Sequence, residues 1–520
     1  MAGRPVFPLE AAMTSTADVS TATAGAGAGP LWLARVRLGA GGPLARVRVA
    51  DGRITGIWAE EDAGRQLASG EPVFDLAGRT VLPGLWDAHV HLGEWAAART
   101  RLDVSGLDSA RAVAEAVRER AQEALDDGVL TGFGFRDGLW PDAPHKDVLD
   151  AVVPHVPVAL VSQDLHTAWL NSACLALIGR VGHPSGLLRE HECLEALAAL
   201  PEAPVETVDR RIEEACRAAA ARGVTGIIDF QYGDTVTEWA RRSAAGPLPV
   251  RVDAAVYPSY LDAAIERGLR TGSPVDEGAG VVRVGPLKLF TDGSLNTRTA
   301  LCRDPYPGLG DTPEAHGIQE TGTEELVALM RRAAAHGIEP AVHAIGDHAN
   351  TVALDAFEAV RCRGRIEHAQ LLSAADLPRF AALGVTAGVQ PRHATDDRDI
   401  ADRHWAGRTD RAFAYGDLLA AGARLEFGSD APVSPLDPWL GIASAVGRTG
   451  DERPAWHPEQ RVPLAAALAA SARGRRLVRV GDPADLVVTD VDPREADLTT
   501  LRAMPVFATM LGGRWTHGPA

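Results

Sequence analysis

The run VLPGLWDAHVH, residues 81–91, ends a short apolar stretch, turned at Pro83 and Gly84, in two histidines two residues apart. Residues two apart in an extended strand share a face, so His89 and His91 present their imidazoles side by side, which is a metal grip. With 16 histidines in 520 residues such a pair also arises by chance, so its partners elsewhere in the chain decide the reading.

Downstream of this run, helical and strand patterns alternate. Helices are predicted over 108–126, 206–222 and 324–336, each followed by a glycine able to cap it. Short β-rich runs follow at 223–230, 250–257, 282–290, 338–345, 364–370, 385–391 and 424–430, which with residues 81–91 makes eight. Strand and helix repeated eight times predict a parallel (β/α)8 barrel over 81–475. One more run, VPVALVSQD at 156–164, exceeds that count, so residues 93–205 are expected to form an insertion after the first barrel strand, lying over the mouth.

Both ends of the chain carry alternating apolar and polar residues with hairpin cues, at 39–42, Asp51-Gly52 and Gly512-Gly513. A few lone strands cannot bury a face, so segments 31–80 and 476–520 are expected to combine into one composite β-sandwich. Residues 1–30 read as a low-complexity, disordered tail in which Met13 is an alternative start. A net charge of −17 argues against nucleic acid or an anionic membrane surface as partner. No apolar run approaches a membrane span, and five scattered cysteines without C-x-x-C spacing read as reduced thiols, so a soluble cytoplasmic protein is expected. A small-molecule substrate fits best; a homodimer is the assembly considered.

Barrel enzymes place their chemistry at the C-terminal ends of the strands. There the sequence sets His89 and His91 on the first strand, Lys288 near the end of the fourth, His343 on the fifth, His368 on the sixth and Asp430 on the eighth. Taken singly, a strand-end histidine is more often structural, Asp430 reads as a helix cap, and Lys288 as a salt-bridge or snorkelling residue. Their joint placement points to a catalytic centre.

The surrounding words, LPGLWDAHVHLG, DLHTAWLNSACL, GLLREHE, GVTGIIDF, PLKLFTDGSLNTRTA, AVHAIGD, RIEHAQ, GVQPRHATDD and FGSDAPVSPLDP, resemble family 3 of the amidohydrolase superfamily, the branch of N-substituted formamide deformylase. The resemblance spans residues 80 to 440, with weaker matches at both ends. It implies two divalent metal ions, zinc being the natural choice for such ligands: one held by His89, His91 and Asp430, the other by His343 and His368. Lys288 would be N-carboxylated and bridge them, since an ammonium has no lone pair to ligate with. The implied chemistry is hydrolysis of an amide or N-substituted formamide by a hydroxide shared between the ions, with Asp430 moving the proton to the departing amine.

For the substrate, the candidates are Asp292 in the loop after Lys288, His166 and Trp169 in the insertion, with Asn171 beside them, and Gln390 and His393 after the seventh strand. Asp292 reads equally as an Asp-Gly turn, and Trp169 as core. The chain departs from the family pattern at Asn296, where glycine is usual, in the helix LAAALAASARGRRLV, and at Gly481-Asp482-Pro483. Competing readings are a one-metal deaminase, which would not need Lys288, a cyclic-amide hydrolase on the same centre, and a non-catalytic binding protein, which would need a broken ligand set.

Overall fold

The structure is a computed structural model describing residues 29–39, 42–61, 70–121, 128–201, 203–275, 280–310 and 312–519. The expected tail, apart from its last two residues, lies outside the described residues, as does the end of the helix expected over 108–126.

Eight parallel strands follow one another in chain order around a barrel: Leu85–Val90, Val224–Asp229, Arg251–Val256, Val282–Phe290, Pro340–Ala344, Arg365–His368, Thr386–Val389 and Arg424–Phe427. These are the eight runs read from the sequence. The seam between eighth and first strand is stitched beyond the strand ends, where Asp430 N–H donates to the His89 carbonyl at 2.7 Å and His91 N–H to Ala431 at 2.9 Å. Gly428 permits that approach, because a Cβ there would sit 2.5 Å from the His89 nitrogen. The outer helices bury apolar stripes against the strands. Val205–Ala220, for example, turns Ile212, Ala215, Cys216 and Ala219 inward at helical spacing. Gly223 follows it with φ of 87°, a left-handed turn that glycine adopts without strain.

Both ends of the chain meet in one sheet, whose hydrogen-bonded path runs Arg514–His517, Val506–Leu511, Leu486–Thr489, Thr80–Pro83, Leu31–Leu38, Leu44–Ala50 and Arg53–Ala59, with Val73–Asp75 added beside Leu31–Leu38. Its core joins Leu33, Val36 and Val47 from the first segment to Leu486, Val488 and Met510 from the second. The strands of both ends thus share one core and one hydrogen-bonded path, the composite unit expected from the sequence.

The insertion builds its own five-stranded sheet, in which Val158–Ser162 is the central strand, so the extra run lies outside the barrel. The turn after that strand reaches the barrel mouth. Gln163 Nε2 donates to the carbonyls of Pro432 (3.1 Å) and Val433 (2.8 Å), and Asn296 Nδ2 donates to Asp164. The departure at Asn296 thus ties the fourth-strand loop to the lobe. Among the described residues no helix is long and apolar enough to cross a membrane, and all five cysteines are unpaired.

Candidate metal centre

The C-terminal strand ends bring His89, His91, Lys288, His343, His368 and Asp430 into one cluster. His89 Nε2 lies 3.5 Å and His91 Nε2 3.2 Å from Asp430 Oδ1, and the His89 and His368 rings are 4.9 Å apart, His368 and His343 4.5 Å. Among the described residues two groups have donor atoms close enough to share an ion, His89–His91–Asp430 and His368–His393–Asp430. His368 and Asp430 hold φ of 73° and 58°, a left-handed conformation that costs about 1–3 kcal/mol at a non-glycine and clusters where function imposes it.

His89, His343 and His368 are each oriented by a partner behind the ring. His89 Nδ1 donates to Glu367 Oε2 at 2.6 Å, and His368 Nδ1 donates to Gln390 Oε1 at 3.0 Å, so in both rings the Nε2 lone pair faces the centre. His343 is turned the other way: its Nε2 donates to the Gly293 carbonyl at 3.0 Å, leaving Nδ1 as its ligating atom. Burial pushes His89 and His368 well below the ordinary histidine pKa, and burial beside Lys288 pushes His343 down to about 3. All three are therefore neutral rings with a lone pair to give.

Lys288 is 1% exposed, its Nζ 4.6 Å from the Phe230 ring centre, 5.1 Å from that of Phe290 and 3.4 Å from His89 Nε2. Among the described residues it makes no ion pair. Burial lowers its pKa to about 8, the carboxylates of Glu367 and Asp430 opposing the shift, so a neutral, nucleophilic amine is accessible near neutral pH.

The floor of the site was not read from the sequence. Glu367 is bonded by Arg365, whose other nitrogens reach Glu426 (2.8 Å) and the Ala88 carbonyl (3.1 Å), forming a buried charged layer beneath the histidines. Asp87, lifted to about 6 by burial, accepts the backbone N–H of His89 and Ser429 and so holds both ligand-bearing strands. The signal available was charge at every second position of apolar strands, in R-I-E-H, R-L-E-F and D-A-H-V-H. Replacing Glu367 by glutamine should cost about 10–100-fold in metal affinity, because the ring keeps an acceptor but loses its charge. Chelator competition measures it, and unchanged affinity would reduce Glu367 to a structural group.

The substrate-side candidates separate. Asp292 has its carboxylate taken by the backbone N–H groups of Leu301 (2.8 Å), Ile345 (3.0 Å) and Gly346 (2.8 Å), so it is a buried loop clamp 3.5 Å from His343 rather than a group open to substrate. Its pKa is raised to about 7 by burial, against the pull of those amides. Trp169 is 0% exposed and packs on Phe135 and Trp140 in the core of the lobe, which corrects its placement at the pocket. Asn171 is consumed by four backbone bonds around the same core. Gln390 serves His368 and the Gly388 carbonyl, so it positions a ligand. His166 is partly buried, its Nδ1 2.7 Å from Glu190 Oε2; burial opposes its charge, yet Glu190 and Asp164 raise its pKa. His393 reaches the centre, its Nε2 3.9 Å from Asp430 Oδ2.

Known proteins share this arrangement of the chain. Residues 72–517 match the amidohydrolase family model. YtcJ of Bacillus subtilis, named as a candidate amidohydrolase, is 30% identical over 511 residues, covering 90% of this chain and 95% of its own. The N-substituted formamide deformylase of Arthrobacter pascens is 26% identical over 517 residues, covering 90% and 94%. A metal-dependent hydrolase of Pyrococcus horikoshii superposes with a TM-score of 0.77 at 27% identity, covering 90% of this chain and 99% of its own. With its family match running from the terminal sheet through every barrel strand, the chain belongs to the amidohydrolase family, in the third branch of that superfamily.

Proposed function

We propose that this protein is a metal-dependent hydrolase of a non-peptide amide bond, with N-substituted formamides as its substrate class. His89, His91 and Asp430 would hold one divalent ion and His343 and His368 a second, with Lys288, once N-carboxylated, as a ligand that both would use; imidazole and carboxylate donors suit zinc. The observation that carries this reading is Lys288, a buried amine of lowered pKa, without an ion-pair partner among the described residues and with its Nζ 3.4 Å from His89 Nε2. A one-ion deaminase gives that lysine no work.

Divalent ions bound here supply a Lewis acid for the amide carbonyl and lower the pKa of a water to about 7. The chain does the rest. Glu367 and Gln390 hold the rings of His89 and His368 in register, and Asp430, tied across the seam by its N–H to the His89 carbonyl, takes the proton of the attacking water and delivers it to the departing amine. Beside the centre, Phe290 (37% exposed), Tyr257 and Tyr232 (71% exposed) form an aromatic wall suited to an apolar N-substituent. The likeness to a formamide deformylase supports the same substrate class.

N-benzylformamide is the test substrate: protein purified without chelator should release benzylamine and formate, lose that activity to a strong chelator, and regain it with zinc. Turnover of hydantoins or free nucleobases instead, with the same metal dependence, would replace the substrate assignment. Turnover that survives chelation would end the metal-dependent reading.

A further inference from the structure

We infer that His393 is a catalytic residue of this reaction, donating a hydrogen bond from Nε2–H to the carbonyl oxygen of the amide under attack. The inference rests on the hydrolase reading above and adds a group outside the six ligands. The seventh strand supplies no member of the ligand set; His393, in the turn that follows it, fills that gap. The residue is 4% exposed, and its Nε2 is a buried polar atom with no hydrogen-bond partner among the described residues. Native proteins leave few buried polar groups unpaired, and one aimed into a reaction centre is explained when a reacting group meets it.

Two contacts fix what Nε2 has to offer. On the far side of the ring, Gln370 Nε2 lies 3.3 Å from Nδ1 and donates to it, so the ring proton resides on Nε2. On the near side, Nε2 faces Asp430 Oδ2 at 3.9 Å, a carboxylate that attracts an N–H and repels a bare lone pair. The ring lies parallel to that of His368, centres 6.4 Å apart and planes at 8°, so the donor sits alongside a ligand rather than in its place. At 3.9 Å Asp430 does not take the Nε2–H in a hydrogen bond, so the donor stays free for an acceptor that approaches it from the side of the centre.

As the water oxygen bonds to the carbonyl carbon, the C=O π pair moves onto the carbonyl oxygen, where the Nε2–H meets the growing charge. When the C–N bond breaks, that pair re-forms the carbonyl. The proton on Nε2 stays in place throughout, and the proton that leaves with the amine travels by way of Asp430. Donors fixed where charge develops act on the transition state more than on the bound substrate.

The experiment compares wild type with His393→Ala and His393→Gln, all zinc-loaded and checked for folding by their melting curves. Metal content should be equal in all three. With N-benzylformamide, His393→Ala should lose about 10²–10³-fold in kcat with KM nearly unchanged, and His393→Gln, which keeps an N–H donor, should recover part of it. Proton–nitrogen correlation spectra of ¹⁵N-histidine-labelled holoenzyme, assigned by the His393→Gln variant, should show the Nε2–H tautomer. An Nδ1–H tautomer with metal lost in both variants would make His393 a ligand in the His368–His393–Asp430 group and overturn the inference, as would a change confined to KM. Should wild type leave N-benzylformamide untouched, the formamide reading falls, while tautomer and metal content still decide the role of His393.

Discussion

Lys288→Ala is expected to lower the metal content from about two equivalents per chain to one or fewer and to reduce amide hydrolysis by about 10³-fold or more. Lys288 has no surface role to lose: its Nζ is enclosed by Phe230, Phe290 and His89. Carboxylation converts a group with three donors and no acceptor into one with two oxygens, and removing it separates the two halves of the ligand set. The loss of several kcal/mol of charge stabilisation corresponds to the stated factor at 1.4 kcal/mol per decade. Elemental analysis by plasma mass spectrometry on proteins purified side by side reads the first half, and a small added carboxylate such as propionate should restore part of the second. One equivalent in wild type, unchanged in the variant, would show a single-ion site and return the deaminase reading.

Asp430→Asn is expected to lower kcat by about 10²–10⁴-fold while the protein stays folded, the range set by loss of a positioned proton carrier. Asparagine keeps a carbonyl oxygen where Oδ1 faces His91 and His89, and the backbone bond from residue 430 to the His89 carbonyl is untouched. What it cannot do is hold the proton between water and amine. Substrates with a better leaving amine, such as formanilides carrying a nitro group, should be less damaged by the substitution than N-benzylformamide, because they need that proton least. Equal loss on both would show that Asp430 acts only as a ligand.

The barrel was legible in the chain because its information is local. Each strand is a short β-rich run whose period, bounding glycines and following helix lie within a few dozen residues, and the end of a strand is the place where a parallel barrel must present its chemistry. The identities of the six cluster residues follow from that alone. The sheet built from both ends was legible as a need for partners, though not in its single continuous path, since strand pairing between residues 80–83 and 486–489 depends on registers hundreds of residues apart.

The substrate-side readings were less well determined. Asp292 and Gln390 stand in loops beside the centre, as expected from their positions, yet one clamps three backbone amides and the other orients His368. Trp169 lies in the right segment and points the wrong way, into Phe135 and Trp140. Sequence position places a residue near a strand end; which neighbour takes its polar atoms depends on the side chains that adjoining strands bring alongside.

By itself, then, the sequence determined the eight-stranded barrel, the lobe after the first strand and the histidines, lysine and aspartate at the strand ends, because periodicity and strand-end position are properties of short segments. Only the tertiary structure decided which ring nitrogen each histidine offers, that Glu367 stands behind His89 from 278 residues away, and that His393 carries an unpaired nitrogen into the site. Those are facts about partners, and hydrogen-bond partners are set by register and packing across the barrel, which no stretch of the chain contains.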